Sequence, residues 1–128
     1  MYLFVCTGNT CRSPMAAALW HKRGHEAESA GIYAMPGSAA STGAIRAMQA
    51  FQIDLSSHRA RPVSADSMAR AAKIVALTNR HALALREQFP QYADKIICMP
   101  RDILDPFGGD DEDYLRCAQE IDEALNAL

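Results

Sequence analysis

The sequence has few of the features that mark membrane, secreted or metal-dependent proteins. It holds only four cysteines, and none of them form the Cys-x2-Cys pairs that are typical of zinc sites. No apolar run approaches the length of a membrane span, and no basic-then-apolar leader precedes the first predicted strand. We therefore expect a cytoplasmic protein with no membrane partner, no metal and no cofactor.

A strong excess of one charge is absent as well. The 13 Lys and Arg residues nearly balance the 15 Asp and Glu residues, and the net charge of −2 argues against a nucleic-acid partner. A chain of 128 residues that is 49% hydrophobic can bury one substantial core, but it is too short for two ordinary domains. We predict one domain over residues 1–128.

What is present is an alternation of short apolar runs with helical patterns. The apolar runs predict strands at residues 2–4, 28–32, 73–78 and 95–100. The patterns between and after them predict helices at residues 13–20, 42–52, 64–71, 79–89 and 111–128. The predicted N-caps are short polar residues, namely Ser13, Ser41 or Thr42, Ser64 and Asn79. This alternation predicts an α/β fold, a doubly wound sheet of about four parallel strands with helices on both faces.

A polar stretch follows the first predicted strand and runs from Cys6 to Ser13-Pro14. A strand-to-helix turn directs backbone N–H groups and the positive end of a helix at one point, which favours an anion. Five residues separate Cys6 from Arg12, so a loop curled around a phosphoryl group would place the sulfur beneath phosphorus and the guanidinium beside two oxygens. The stretch predicts a phosphate loop with Cys6 as its nucleophile.

A second motif lies near the other end of the chain, in an acid-rich segment. Among the acidic residues of this segment only Asp105 is followed by proline, in the run Asp105-Pro106-Phe107-Gly108-Gly109. The fixed backbone of Pro106 and the flanking glycines can hold one carboxylate over the phosphate pocket. There Asp105 can protonate a leaving group and then activate water as a base.

Together these two motifs resemble the low-molecular-weight protein tyrosine phosphatase family, and the resemblance covers most of the chain. It implies hydrolysis of phosphorylated protein side chains through a thiophosphoryl-cysteine, with inorganic phosphate as product and inhibitor. The implied catalytic residues are Cys6, Arg12 and Asp105. The residues implied to bind substrate are Thr7, Gly8, Asn9, Thr10, Cys11, Ser13, Tyr33 and Phe107.

Within the loop, the resemblance implies that Asn9 and Ser13 hold its shape and that Ser13 also bonds the thiolate. It further implies that Ser29, on the second strand, and His58 brace Asn9 from behind. The remaining histidines have no motif around them, and we expect them to be solvated helix residues. They are His21, His25 and His81.

The type of phosphate depends on the residues that line the pocket. The tyrosine-directed pattern has an aliphatic residue at the place of Thr10 and two tyrosines after the Asp-Pro pair. Thr10 and Phe107 instead resemble the bacterial protein arginine phosphatase branch of the family. A guanidinium prefers polar neighbours, a carboxylate and one aromatic face, which Thr10, Asp105 and Phe107 would supply. Phosphoarginine is therefore the favoured substrate, and phosphotyrosine is the alternative.

Two other functions fit the phosphate loop less well. A thiol-dependent arsenate reductase needs further cysteines in a mobile segment, and residues 79–97 contain none. A non-catalytic phosphate-binding module would not need both Cys6 and Asp105. The role of Cys11 stays open at this point, because it can either form a regulatory disulfide with Cys6 or pack inertly beneath the loop.

Overall fold

Four parallel strands form one sheet in the computed structural model, which describes residues 1–128. In chain order the strands are β1 (Tyr2–Cys6), β2 (Ala27–Gly31), β3 (Lys73–Ala76) and β4 (Ile96–Cys98). Their order across the sheet is β2-β1-β3-β4, and Val5 of β1 pairs with Ala30 on one side and Ala76 on the other. The predicted parallel sheet of about four strands is confirmed.

Five α-helices connect and follow the strands. They are α1 (Arg12–Lys22), α2 (Thr42–Gln49), α3 (Ala65–Arg70), α4 (Asn79–Gln88) and α5 (Asp111–Ala124). The connection from β1 to β2 runs to one side of β1, and the chain then returns to place β3 on the other side. Cys6 ends β1 at this reversal, which is the position where open parallel sheets bind their ligands.

The two faces of the sheet carry separate hydrophobic cores, because side chains alternate along each strand. Phe4 and Val75 pack with helices α1, α2 and α5, whereas Leu3 and Val5 pack with helices α3 and α4 on the opposite face. Phe4 is fully buried, and its replacement by alanine would cost about 3–5 kcal/mol. The confirmed helices on both faces hold β1 rigidly, and with it the loop that follows Cys6.

The structure confirms two predicted N-caps and corrects two. Ser41 is the N-cap of α2, although its side chain makes no capping hydrogen bond there. Ser64 caps α3, and its hydroxyl accepts from the Ser67 N–H at 3.1 Å. The prediction for Ser13 is wrong: α1 begins at Arg12, its N-cap is Cys11, and the Ser13 side chain has other partners. The prediction for Asn79 is also wrong, because the cap of α4 is Thr78.

Several predicted elements are shorter in the structure. The second helix ends at Gln49 instead of Gln52, because Gln52 adopts a positive φ of 61° that reverses the chain. The last strand shortens to Ile96–Cys98 because a 3-10 helix occupies Pro90–Lys95. The final helix ends at Ala124 in a further 3-10 turn, Leu125–Ala127. None of the helices has the length and apolar character needed to cross a membrane.

Candidate active site

Residues 7–11 form a tight loop between β1 and α1, and its conformation depends on Asn9. Asn9 is fully buried and has a positive φ of 57°, which asparagine tolerates better than most residues. Its side chain donates to Ser13 Oγ at 2.8 Å and accepts from the Arg61 N–H at 3.0 Å, while its carbonyl lies 2.7 Å from His58 Nε2. These three bonds hold the loop in a conformation that costs free energy in isolation.

The thiol of Cys6 lies beneath this loop and is 2% exposed. Its sulfur is 3.0 Å from Ser13 Oγ and accepts from the Ser13 N–H at 3.4 Å. Because Asn9 donates to Ser13 Oγ, the Ser13 hydroxyl hydrogen has two acceptors within reach, the Cys6 sulfur at 3.0 Å and the Ala30 carbonyl at 3.4 Å. The Ser13 hydroxyl, the Ser13 N–H and the N-terminus of α1 therefore all lie against the Cys6 sulfur.

The carboxyl end of β2 packs directly against the loop at Gly31. A Cβ on Gly31 would lie 2.6 Å from the Thr7 carbonyl oxygen and 2.9 Å from the Asn9 nitrogen, both of which are backbone atoms. On either side of this contact, the N–H of Ile32 donates to the Cys6 carbonyl and the N–H of Tyr33 donates to the Thr7 carbonyl. The phosphate loop is thus fixed by the neighbouring strand as well as by its own bonds.

Arg12 places its guanidinium at the mouth of the loop and is only 6% exposed. Its Nη1 donates to the Ile103 carbonyl at 3.0 Å, and its Nη2 donates to Thr7 Oγ1 at 3.5 Å. Nη2 also lies 3.7 Å from Asp105 Oδ2. The prediction that Arg12 serves the loop, and not a surface ion pair, agrees with this position.

Asp105 reaches the same place from the loop of residues 101–110, which we call the acid loop. Its Oδ1 accepts from the Phe107 N–H at 3.0 Å, which fixes the carboxylate over its own turn, and the carboxylate is half exposed. A cavity of about 240 Å³ joins the two loops. Its lining residues are Cys6, Thr7, Gly8, Thr10, Cys11, Arg12, Asp105 and Phe107.

Thr10 is held at the wall of this cavity by Ser41, the residue that precedes α2. The Thr10 carbonyl accepts from the Ser41 N–H at 3.0 Å and from the Ser41 hydroxyl at 3.3 Å. The sulfur of Cys11 lies 3.1 Å from Ser41 Oγ, and all four cysteines are free thiols. Ser41 therefore positions two loop residues, a role that its sequence neighbourhood does not indicate.

Not every predicted residue reaches the cavity. Tyr33 is 82% exposed and contacts the phosphate loop through its backbone, whereas Phe107 is 79% exposed but lines the cavity. Ser29 is buried, yet no hydrogen bond joins its hydroxyl to Asn9, and its carbonyl accepts from Arg61 Nε at 3.0 Å. The predicted bracing of Asn9 is made by His58 and by the Arg61 backbone instead.

His81 corrects the expectation that the remaining histidines are solvated helix residues. It is 6% exposed, with Nε2 at 2.8 Å from Thr7 Oγ1 and Nδ1 at 3.0 Å from Thr78 Oγ1. His25 also departs from that expectation, because it lies outside any helix and stacks on Trp20 with ring centroids 4.3 Å apart. The Thr78 cap, three residues before His81, is the one local signal near this ring, and it does not indicate that the ring reaches the phosphate loop.

Two histidines next to the phosphate loop are electrostatically biased toward the neutral form. Burial lowers the pKa of His81 to about 4, and the nearby Arg12 guanidinium adds to the effect. Burial also lowers the pKa of His58, although its hydrogen bond to the Asn9 carbonyl acts in the opposite direction. Both rings are thus held neutral behind a site built to bind an anion.

The arrangement can therefore bind a tetrahedral oxyanion, present the sulfur of Cys6 to it and supply one carboxyl group at its open side. Cys6, Arg12 and Asp105 come together from β1, α1 and the acid loop. No group of three or more His, Cys, Asp or Glu side chains is placed to hold a metal ion. Nucleophilic displacement at phosphorus is the chemistry that this set of side chains can perform.

Comparison with known proteins gives the same answer. Residues 2–128 match the family model described as low molecular weight phosphotyrosine protein phosphatase. A protein-arginine-phosphatase from Geobacillus stearothermophilus is 38% identical over 98% of this chain and 91% of its own. The protein-tyrosine-phosphatase Wzb from Salmonella typhi is 32% identical over 98% of this chain and 93% of its own.

A solved structure extends the likeness to the fold. It is a mutant of the arginine phosphatase YwlE with a phosphorylated active-site serine, and it superimposes with a TM-score of 0.92. Its sequence is 35% identical to this one, and the match covers 97% of this chain and 90% of that one.

Proposed function

The chain belongs to the low-molecular-weight phosphotyrosine protein phosphatase family and is a cysteine-dependent protein phosphatase, and from this premise we propose that its substrate is phosphoarginine in proteins. In this proposal Cys6, Arg12 and Asp105 carry out the reaction. The amides of residues 7–11 and the side chains that shape the phosphate loop bind the phosphoryl group.

The reaction has two steps. The Cys6 thiolate attacks phosphorus, an S–P bond forms, and the bond from phosphorus to the guanidinium nitrogen breaks while Asp105 gives its proton to that nitrogen. Water then attacks the thiophosphate, the Asp105 carboxylate takes its proton, and the S–P bond breaks to release inorganic phosphate. Arg12 pairs with the phosphoryl oxygens in both steps, where negative charge is highest.

The observation that carries the substrate assignment is the polarity of the cavity wall. Thr10 and Asp105 both line the cavity, and Phe107 supplies the only aromatic ring among the lining residues. A guanidinium gains hydrogen bonds from a hydroxyl and a carboxylate and stacks on one ring. A phenyl ring would gain less from the hydroxyl, because it has no donor to offer. The arginine phosphatase named among the relatives supports the same assignment.

Phosphotyrosine is the second candidate. It is favoured by the family description and by the tyrosine phosphatase from Salmonella typhi, which matches nearly the whole chain. The exposed ring of Phe107 would serve a phenyl group as well as a guanidinium. The distinction between the two substrates therefore depends on Thr10.

The test compares kcat/KM for phosphoarginine and phosphotyrosine peptides of matched sequence. Wild type should prefer phosphoarginine, and Thr10→Ile should lower the phosphoarginine value about tenfold while the phosphotyrosine value stays equal or rises. Thr10→Val removes the hydroxyl without extra bulk, and Thr10→Ser keeps it. If Thr10→Ile changes both values by the same factor, or if wild type prefers phosphotyrosine, the second candidate replaces the first.

A further inference from the structure

The His81 ring connects the N-terminus of α4 to the phosphate loop, although no step of the reaction uses it. It is almost fully buried, and its two nitrogens contact the hydroxyls of Thr7 and Thr78 at 2.8 and 3.0 Å. A buried ring with two hydroxyl neighbours has a limited set of proton arrangements. The other contacts of each hydroxyl determine which of these proton arrangements gives every donor an acceptor.

The Thr78 side of the ring indicates where the ring proton lies. Thr78 Oγ1 already accepts from the His81 backbone N–H at 3.1 Å, as the cap of α4. Its only other hydrogen-bond partner is His81 Nδ1. The Thr78 hydroxyl hydrogen has an acceptor within the protein only if Nδ1 carries no proton, and a neutral ring of that kind carries its proton on Nε2.

The direction of the hydrogen bond between His81 and Thr7 follows from this proton position. With the proton on Nε2, His81 donates to Thr7 Oγ1, and Arg12 Nη2 donates to the same oxygen at 3.5 Å. Both acceptor positions of that hydroxyl are therefore used, and its own hydrogen has no acceptor in the protein. Because Thr7 lines the cavity above Cys6, this hydrogen is available to a ligand there.

The charges around the ring are consistent with a neutral histidine. Arg12 and Arg80 disfavour a second cation, whereas the carboxylates of Asp102 and Asp105 act in the opposite direction. Burial is the largest influence, so the ring stays neutral at neutral pH. A protonated ring would also leave the Thr78 hydroxyl hydrogen without an acceptor.

We propose that His81 is a positioning residue of the phosphate site, whose Nε2–H tautomer turns the Thr7 hydroxyl into a hydrogen-bond donor for the bound phosphoryl group. The proposal rests on the phosphate site described above, but not on the choice between phosphoarginine and phosphotyrosine. The opposite tautomer would take the Thr7 hydrogen for itself and present oxygen lone pairs to the phosphoryl oxygens. The ring's proton position therefore decides whether Thr7 attracts or repels the ligand.

The tautomer can be read directly from a long-range ¹H–¹⁵N spectrum of protein labelled at histidine nitrogens, recorded between pH 6 and pH 8. We expect the His81 signals of a ring protonated only at Nε2, and we expect them to shift when inorganic phosphate is added. The spectrum of His81→Gln assigns the signals by difference. A proton on Nδ1, or on both nitrogens, overturns the proposal.

The functional consequence is measured as the inhibition constant of inorganic phosphate against p-nitrophenyl phosphate. Thr7→Val and His81→Leu should each raise this constant about tenfold, since each removes the oriented hydroxyl donor to an anion. The double variant should be no worse than either single one, because the two residues act through one hydrogen bond. Thr7→Ser and His81→Gln, which keep a hydroxyl and an amide donor, should remain within about threefold of wild type.

The control is His21→Leu, since His21 lies on the exposed side of α1. Its inhibition constant should equal that of wild type. Additive effects of Thr7→Val and His81→Leu would overturn the proposal, as would a loss of thermal stability without a change in phosphate affinity. If His81→Leu does not fold, the phosphate inhibition constant of Thr7→Val and the tautomer spectrum of wild type test the proposal in its place. A wild type that prefers phosphotyrosine would overturn the proposed substrate but leave these phosphate measurements intact.

Discussion

The phosphate loop and the acid loop meet at one cavity but are built in opposite ways. Asn9 and Ser13 are fully buried, and every polar group of their side chains is bonded within the protein. In the acid loop, Leu104 is 77% exposed and Phe107 is 79% exposed, while the buried Ile103 anchors the segment. The part that handles the phosphoryl group is thus preorganised, whereas the part that meets the rest of the substrate is open.

This difference separates most of the chemistry from part of the selection, with one exception on each side. Thr10, the proposed selector, lies in the phosphate loop, and Asp105, the proposed acid, lies in the acid loop. A phosphoryl group is the same on every substrate, so a rigid cradle loses nothing by being fixed before binding. The group that carries the phosphate differs between substrates, and an exposed loop can change its side chains at little cost in stability. Damage to the phosphate loop should therefore abolish catalysis, whereas damage to Phe107 in the acid loop should weaken substrate binding.

The largest effect is expected for Cys6→Ser. Turnover should fall on the order of 10⁴-fold or more, because a serine hydroxyl at this site is a weaker nucleophile and a poorer leaving group. Phosphate binding should survive, and mass spectrometry should detect one phosphoryl group on the protein after incubation with substrate. The YwlE mutant with a phosphorylated serine supports this expectation.

Cys98→Ser is the matched control for the nucleophile, because Cys98 lies in β4 outside the cavity lining and should be dispensable. Appreciable turnover by Cys6→Ser would remove Cys6 from its assigned role.

Asp105→Asn comes next and tests whether the open loop also contributes to chemistry. Turnover of substrates with poor leaving groups should fall about 10²–10³-fold, whereas those with good leaving groups should lose much less, since only the former need a proton. Aryl phosphates of graded leaving-group pKa provide the measurement. Asp111→Asn, at the exposed start of α5, is the control. Equal losses across the series would contradict the role of Asp105 as general acid.

Gly31→Ala should damage the fixed loop without touching any catalytic side chain. The added Cβ would press on the backbone of Thr7 and Asn9, so we expect a loss of roughly 2 kcal/mol in unfolding free energy and about tenfold in kcat/KM. Gly37→Ala is a useful comparison, because Gly37 has a positive φ of 86° but no neighbour within 4 Å of a Cβ. It should lose stability through strain and keep full activity. Equal activity losses in both variants would contradict the close approach at Gly31.

The pH dependence of the unfolding free energy should come largely from His81, whose ring contacts Thr7 of the phosphate loop. The pKa of His81 is lowered from 6.5 to about 4, so below pH 6.5 the unfolded chain takes up protons that the folded protein does not. The unfolding free energy should therefore fall by about 3 kcal/mol as pH drops from 6.5 toward 4, and be fully restored above 6.5.

His58, whose pKa is also lowered, should contribute in the same direction. Urea unfolding at a series of pH values measures the slope. His81→Gln should flatten it, whereas His21→Gln should not. A slope unchanged by His81→Gln would show that the buried ring is not responsible.

The smallest effect is expected for Phe107→Ala in the acid loop. Because the ring is exposed, unfolding free energy should change by less than about 0.5 kcal/mol. The KM for phosphoarginine peptides should rise a few-fold through loss of the stacking surface, with kcat nearly unchanged. Leu104→Ala, equally exposed but outside the cavity lining, should leave both constants as they are. A drop in kcat alone would assign Phe107 to the chemistry instead.

Much of the fold and part of the site could be predicted because their signals are local. The alternation of apolar runs with helical patterns predicts the parallel sheet, and the spacing from Cys6 to Arg12 predicts the phosphate loop. The cap at Ser13 was predicted wrongly for a physical reason. A serine at a helix start usually bonds the backbone of its own helix, but here Asn9 and Cys6 engage the hydroxyl.

The missed residues are those whose partners lie far along the chain. His81 contacts Thr7 across 74 residues, and Ser41 contacts Cys11 across 30. Periodicity and capping describe neighbours within a few positions, so neither could show which ring or hydroxyl would reach the loop. Ser29 illustrates the converse, since its place in β2 was anticipated while the bond to Asn9 is made by Arg61.

The bond from Arg12 to the Ile103 carbonyl has a consequence for how the chain folds. The two residues are 91 positions apart, and the carbonyl belongs to a segment that follows the last strand. Closing a contact of such high sequence separation costs more loop entropy than a local contact does, so we expect it to form late. A refolding molecule should therefore regain helical circular dichroism before it regains turnover. Recovery of catalysis would then report the docking of β4 and the acid loop, the closing event of assembly.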